Sequence, residues 1–171
     1  MVRTVHQICK FGEKQSLKLG AQRCSFCVRK GVCDMTEQEL IRQALEGRKQ
    51  SYAPYSKFRV GAALETVDGK IYKGCNVENA AYSPSNCAER TAFFKAVSEG
   101  ERAFSRIAIV GGYEEGDSVA DYATPCGVCR QVMMEFCNPK QFTIIVARSE
   151  NDYRVFTLEE LMPAGFGADI L

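Results

Sequence analysis

Phe58-Arg59-Val60-Gly61-Ala62-Ala63-Leu64-Glu65-Thr66-Val67-Asp68-Gly69-Lys70-Ile71-Tyr72-Lys73-Gly74-Cys75-Asn76-Val77 reads as two strands, Phe58–Val67 and Ile71–Val77, joined by a two-residue turn at Asp68-Gly69. An Asp-Gly pair between alternating apolar residues is a strong hairpin signal. Toward the N-terminus, Thr36-Glu37-Gln38-Glu39 has the form of a capping box. It opens a helix to about Gln50, with Leu40, Ile41, Ala44 and Leu45 on one face. Toward the C-terminus the pattern predicts a helix from Asn86 to Ser98, stopped by Gly100, then a short buried strand Ile107–Val110. A loop follows over Gly111–Ala123, and Thr124-Pro125 carries the cap and first-turn chemistry of a helix reaching Phe136. Phe142–Ala147 is the last clear buried strand, before a turn at Asn151-Asp152 and a short helix around Leu158–Met162. Strands alternating with helices after an opening hairpin predict an α/β fold, a mixed sheet covered on both faces.

The 171 residues suffice for one well-packed domain plus an appendage. Net charge is +1, which gives no global excess toward nucleic acid or membrane. Its distribution is uneven: residues 1–34 hold seven Lys/Arg against two Asp/Glu, so the rest of the chain is net acidic. We therefore divide the chain into a basic, Cys-rich extension, 1–34, and a domain, 35–171. No apolar run approaches the roughly 20 residues of a membrane span, and no continuous apolar core marks a secretory signal. The cytoplasm is the expected compartment.

Nine cysteines are many for that compartment, and an odd count fits a disulfide framework poorly. Five of them cluster, as Cys24, Cys27 and Cys33 and as Cys126 and Cys129, which points to metal. The single histidine, His6, lies in the extension, so His-based triads are excluded from the main domain. Cys87-Ala88-Glu89-Arg90 begins one predicted helix and Pro125-Cys126-Gly127-Val128-Cys129-Arg130 begins another. Three thiolates on two helix N-termini can converge on one zinc and leave a fourth position for water. Helix N-termini also favour anionic sulfur. Glu89, two residues after a ligand, can move protons beside the metal without binding it. Taken alone, Cys126-x-x-Cys129 reads equally as a redox pair or as half of a structural zinc site.

The composite of Cys-Ala-Glu followed by Pro-Cys-x-x-Cys resembles the zinc deaminase signature, with Cys in place of the more usual His. From about Thr36 to Leu171 the chain resembles the small, homotetrameric type of cytidine deaminase. The matching blocks are Tyr52–Ala63, Gly74–Ala80, Asn86–Ala92, Pro125–Gln131, and Leu161-Met162-Pro163 with Phe166. The resemblance implies a three-layer α/β/α sandwich around a five-stranded mixed sheet. It implies Cys87, Cys126 and Cys129 as zinc ligands and Glu89 as the proton shuttle. Asn76 and Glu78 match the pair that binds the ribose 3′-hydroxyl, and Phe58 matches the ring that packs on the pyrimidine. Ala80, Tyr82 and Phe166 match residues near the site at subunit interfaces. Activated water would attack C4 while Glu89 protonates N3, with loss of ammonia to give uridine. Ala81 stands where the family often has Ser, a minor departure.

Arg90 has its own physical logic. Zn²⁺ with three thiolates carries formal charge −1, and a guanidinium donating to a ligand sulfur would withdraw some of it. Cys75 and Cys137 read as buried thiols acting as small hydrophobes. Two rival functions come from the same residues. A blasticidin-type antibiotic deaminase shares both zinc motifs but lacks Asn76-Val77-Glu78-Asn79-Ala80. A nucleic-acid-editing deaminase would suit the basic extension, but a carboxylate at Glu78 should repel a 3′-phosphate, and the acidic main domain lacks a polymer-binding footprint. In the extension, His6-x-x-Cys9 and Cys24-x-x-Cys27, with Cys33 as an alternative ligand, suggest a second, structural zinc.

Overall fold

Thr36 starts the first helix by accepting a hydrogen bond from Glu39 N at 3.2 Å. In this computed structural model, which describes residues 35–113, 119 and 121–168, helix α1 spans Glu37–Arg48. It buries Leu40, Ile41, Ala44 and Leu45 as one stripe. The Glu39 carboxylate bonds Arg42 and Gln43, one turn further along, so the expected capping box is half formed. His6, Cys9, Cys24, Cys27 and Cys33, and the division at residue 34, lie outside the described residues, as does most of the acidic loop after Tyr113.

The hairpin forms where the sequence places it, as β1 (Arg59–Thr66) and β2 (Ile71–Cys75). Its loop holds three residues, not two. Thr66 N donates to Lys70 O at 3.0 Å and Gly69 N to Thr66 O at 3.1 Å. The Thr66 hydroxyl bonds the Asp68 carboxylate and accepts from Lys70 N, closing the loop beyond Asp68-Gly69. Gly69 takes φ +86°, the left-handed conformation that such a three-residue turn requires.

Helix α2 (Ala88–Ser98), β3 (Phe104–Gly112), α3 (Gly127–Phe136), β4 (Thr143–Ser149), β5 (Asp152–Thr157) and α4 (Leu158–Leu161) complete the order. The five strands run β2-β1-β3-β4-β5, with β3 and β4 parallel and the other pairs antiparallel. Strand alternation then separates two cores. Ala62, Leu64, Ile107, Ile109, Ile144 and Val146 face α2 and α3, where they meet Phe93, Met133 and Phe142. Ala63, Ala108, Val110, Ile145 and Ala147 face Leu40, Ile41 and Ala44 of α1. The result is the three-layer α/β/α sandwich with a five-stranded mixed sheet. Each large side chain fully buried here contributes about 1.5–3 kcal/mol.

Two helix starts and the burial of one cysteine differ from the sequence reading. Asn86 pairs with Val77 in an isolated bridge instead of entering α2, whose cap is Cys87. Cys126, not Thr124, caps α3; Thr124-Pro125 stays outside the helix, two residues before it. Cys75 is half-buried because β2 is an edge strand, whereas Cys137 is buried. One contact fixes α2 on the sheet: a Cβ on Gly74 would collide with Ala88 O and approach Ala92 N to 2.6 Å. Only a glycine lets β2 lie that close to the start of α2.

Candidate metal centre and cleft

Helices α2 and α3 lie on the same face of the sheet, and both begin with a cysteine cap that makes no side-chain capping hydrogen bond. Cys87 and Cys126 Sγ are 3.8 Å apart, Cys126 and Cys129 Sγ 3.5 Å, and all three lie within 4.8 Å of one another. A tetrahedral zinc with bonds of about 2.3 Å to sulfur needs edges of about 3.8 Å, so the spacing fits. Among the described residues no other three His, Cys, Asp or Glu side chains gather in this way. The Cys87 thiol is held down to about 5, first by Cys129 donating to it and then by Arg90, while Cys129 is pushed up by the same contact and by burial. The donor set suits a zinc ion.

Glu89 is the second residue of α2 and only 5% exposed. Burial pushes its carboxyl up to about 7, and the neighbouring Cys87 charge adds to the push. The carboxyl is not part of the sulfur cluster. Arg90 Nη2 donates to Cys87 Sγ at 3.5 Å and to Ser85 O at 3.2 Å.

Cys87 and Cys126 border a cleft of about 290 Å³ also lined by Phe58, Asn76, Glu78 and Glu89, among others. Asn76 is pinned by strand backbone: its Oδ1 accepts from Val60 N at 2.8 Å and from the Ser51 hydroxyl, and its Nδ2 donates to Phe58 O at 2.9 Å. Glu78 accepts from Tyr55 N at 2.9 Å, from Ser56 N at 3.2 Å and from the Ser56 hydroxyl. These bonds, led by the Ser56 hydroxyl, hold its carboxyl below the usual range. Asn76–Glu78 is thus strung between Tyr52 on one side and Asn86 on the other, which brings it beside Cys87.

Ala80, Tyr82 and Phe166 do not line this cleft. In the single chain Tyr82 is 75% and Phe166 56% exposed, and Ala80 is exposed as well. Sequence reading also missed contributors. Ser85, Asn86, Ala123 and Thr124 line the cleft, and the last two precede the Cys126 turn. Arg48, 4% exposed, donates to Arg59 O at 3.2 Å and to Gly112 O at 3.1 Å. It fastens the end of β1–β3 beyond which the Phe58 and Tyr113 rings meet edge to face at 5.0 Å. A bulky cation in a mainly apolar helix face was the available signal for it.

Three convergent sulfurs beside a cleft holding a buried carboxyl, on an α/β/α sandwich, have the donor set and spacing of a zinc site. The family model for the cytidine and deoxycytidylate deaminase zinc-binding region matches residues 34–145, and the chain belongs to that family. It is 47% identical over 137 residues to a cytidine deaminase of Sporosarcina psychrophila, covering 80% of this chain and 96% of that one. It is 44% identical to the cytidine deaminase of Halalkalibacterium halodurans, covering 79% and 97%. The crystal structure of the Burkholderia pseudomallei cytidine deaminase superposes with a TM-score of 0.69 at 46% identity, covering 77% of this chain and all of that one. No helix among the described residues is long and apolar enough to cross a membrane.

Proposed function

We propose that this chain catalyses the hydrolytic deamination of cytidine and deoxycytidine to uridine and deoxyuridine, releasing ammonia, in cytoplasmic pyrimidine salvage. The observation that carries the reading is the buried Glu89 carboxyl beside three clustered thiols, in one cleft with Asn76 and Glu78. Zinc held by Cys87, Cys126 and Cys129 would supply the Lewis acidity that activates water at neutral pH. Glu89, raised toward 7 by burial, is matched to both taking and giving a proton there. It accepts a proton as water adds to C4, delivers one to N3, and carries the next to the departing amino group. The bond broken is C4–N and the bond formed is C4–O.

Phe58 packs on the pyrimidine face. A carboxylate offers about four acceptor positions, and three on Glu78 are taken, so one remains for a ribose hydroxyl. Asn76 keeps one Nδ2 hydrogen for the same oxygen. Together they suit a group that both donates and accepts, such as a free 3′-hydroxyl. An antibiotic deaminase is not favoured, because the chain keeps the full Asn76–Ala80 segment.

Ala80, Tyr82 and Phe166 are read as interface residues that complete neighbouring sites in a homotetramer. Their exposure in the single chain supports this. Sedimentation finding a fully active monomer overturns the tetramer. Residues 1–34 are read as a separate extension. A coupled assay on cytidine, deoxycytidine, dCMP and single-stranded DNA tests the function. Turnover of the two nucleosides is expected, and turnover of only dCMP or DNA overturns the proposal.

A further inference from the structure

We infer that Arg130 is a positioning residue that locks the Cys126 ligand turn and ties it to the C-terminal segment. The inference rests on the zinc reading above. Arg130 Nε donates to Pro125 O at 2.7 Å, and its backbone N–H donates to Cys126 O at 3.0 Å. The backbone bond is the ordinary first bond of α3, and the side chain adds a hold on the carbonyl just before Cys126. The same guanidinium donates through Nη1 to Leu161 O at 2.6 Å, at the end of α4. The next residue, Gln131, donates to Phe166 O at 3.1 Å. The helix that carries Cys129 thus grips both ends of the 161–166 segment.

The need for such a grip shows in a comparison of the two ligand turns. On α2 the Cys87 carbonyl accepts from Thr91 N at 3.0 Å and Thr91 Oγ1 at 3.1 Å, and Arg90 holds Ser85 O. On α3 the residue four beyond the cap is Arg130, which has no hydroxyl and reaches five residues back instead. Cys126 is exposed where Cys87 is half-buried and Cys129 buried, so packing restrains it least. Arg130 supplies the restraint that packing does not. Its described bonds go to carbonyls, so its role toward zinc differs from that of Arg90, which reaches sulfur.

The test measures zinc transfer from the intact holoprotein to a chromogenic chelator, together with amide exchange of residues 161–168. Arg130→Met should weaken zinc retention about ten- to hundredfold, the usual cost of losing an outer partner of a metal site. It should also speed exchange in 161–168. Arg130→Lys keeps the charge and cannot reach both carbonyls, so it should fall between. Gln131→Ala should speed exchange near Phe166 while zinc retention stays within about twofold of wild type, well below the cost of an outer partner. Wild-type retention in a folded Arg130→Met overturns the inference, as does a Gln131→Ala loss equal to that of Arg130→Met. Should Arg130→Met fail to fold, wild-type retention and exchange in Arg130→Lys overturn it. A wild-type chain that holds no zinc overturns the functional reading as well, which separates the two failures.

Discussion

Arg90 Nη2 lies 3.5 Å from the sulfur of Cys87, one turn earlier at the cap of α2. Its guanidinium is anchored by Ser85 O, and its Nε is buried with no protein partner, so the charge is aimed by the fold rather than solvated. Three thiolates would overcompensate a divalent ion by one charge, and a donor on one sulfur draws density away from the metal. Arg90→Gln should therefore keep zinc near one per site and lower kcat about ten- to hundredfold. Metal content and kcat measured on the same sample check this; unchanged kcat would leave Arg90 a structural anchor only.

Glu89→Gln should retain zinc and fold while kcat falls by about 10²–10⁴, the range of a positioned general acid–base. The carboxyl lies outside the sulfur cluster, and Gln preserves its shape at a site only 5% exposed. Loss of zinc along with activity would mean that the residue holds the metal.

The Glu78 carboxyl is held below its ordinary value, chiefly by the Ser56 hydroxyl and then by the Tyr55 and Ser56 N–H groups. The sign follows from linkage: these bonds are fully present above the ordinary carboxyl value of about 4.3 and fade as pH falls through the lowered one. Ser56→Ala should shift the Glu78 titration upward, read by carboxyl carbon NMR. The acid rise in KM for cytidine should then begin at a higher pH than in wild type. Glu78→Gln should raise KM throughout and narrow the discrimination against 3′-phosphorylated nucleosides. Identical KM profiles in all three proteins would remove Glu78 from the ribose site.

Gly74→Ala should displace the start of α2, because the added methyl meets Ala88 O and, at 2.6 Å, Ala92 N, both backbone atoms that cannot turn aside. Overpacking of this kind costs about 1–3 kcal/mol. At this chain length that lowers Tm by roughly 2–4 °C per kcal/mol. Since Cys87 caps the displaced helix, zinc retention should drop with Tm. Thermal melts and chelator competition read the two effects; a wild-type Tm contradicts the close approach.

The clustering of Cys87, Cys126 and Cys129, with Glu89 beside them, was legible because each lies within a few residues of a helix start, where local pattern is strongest. Contacts made across the chain were not. Arg48 grips carbonyls 11 and 64 residues away, and no side-chain pattern marks a carbonyl as a partner. The hold of Tyr55 and Ser56 on Glu78 uses two backbone N–H groups, invisible in the same way. Strand β5 escaped the strand pattern because Arg154 and Val155, adjacent residues, are both exposed on an edge strand, which erases the two-residue period. The hairpin loop was misjudged by one residue because Thr66 spends its hydroxyl on the turn. Thr124-Pro125 looked like a helix start on residue type alone, yet the cap position goes to Cys126.

The extension carries the last prediction. His6-x-x-Cys9 and Cys24-x-x-Cys27 offer four donors in two pairs with the same gap, and Cys33 is a spare thiol or an alternative fourth ligand. A segment of this length cannot bury enough apolar surface to fold alone, and a structural zinc supplies that stability in small domains. The full chain should therefore hold two zinc ions per chain: one on Cys87, Cys126 and Cys129, and one in the extension. Cys24→Ser combined with Cys27→Ser should bring the count to one while deaminase activity persists, since Cys87, Cys126 and Cys129 are untouched by the change. Elemental analysis of the two full-length proteins decides it. One zinc in both would leave these cysteines without a metal.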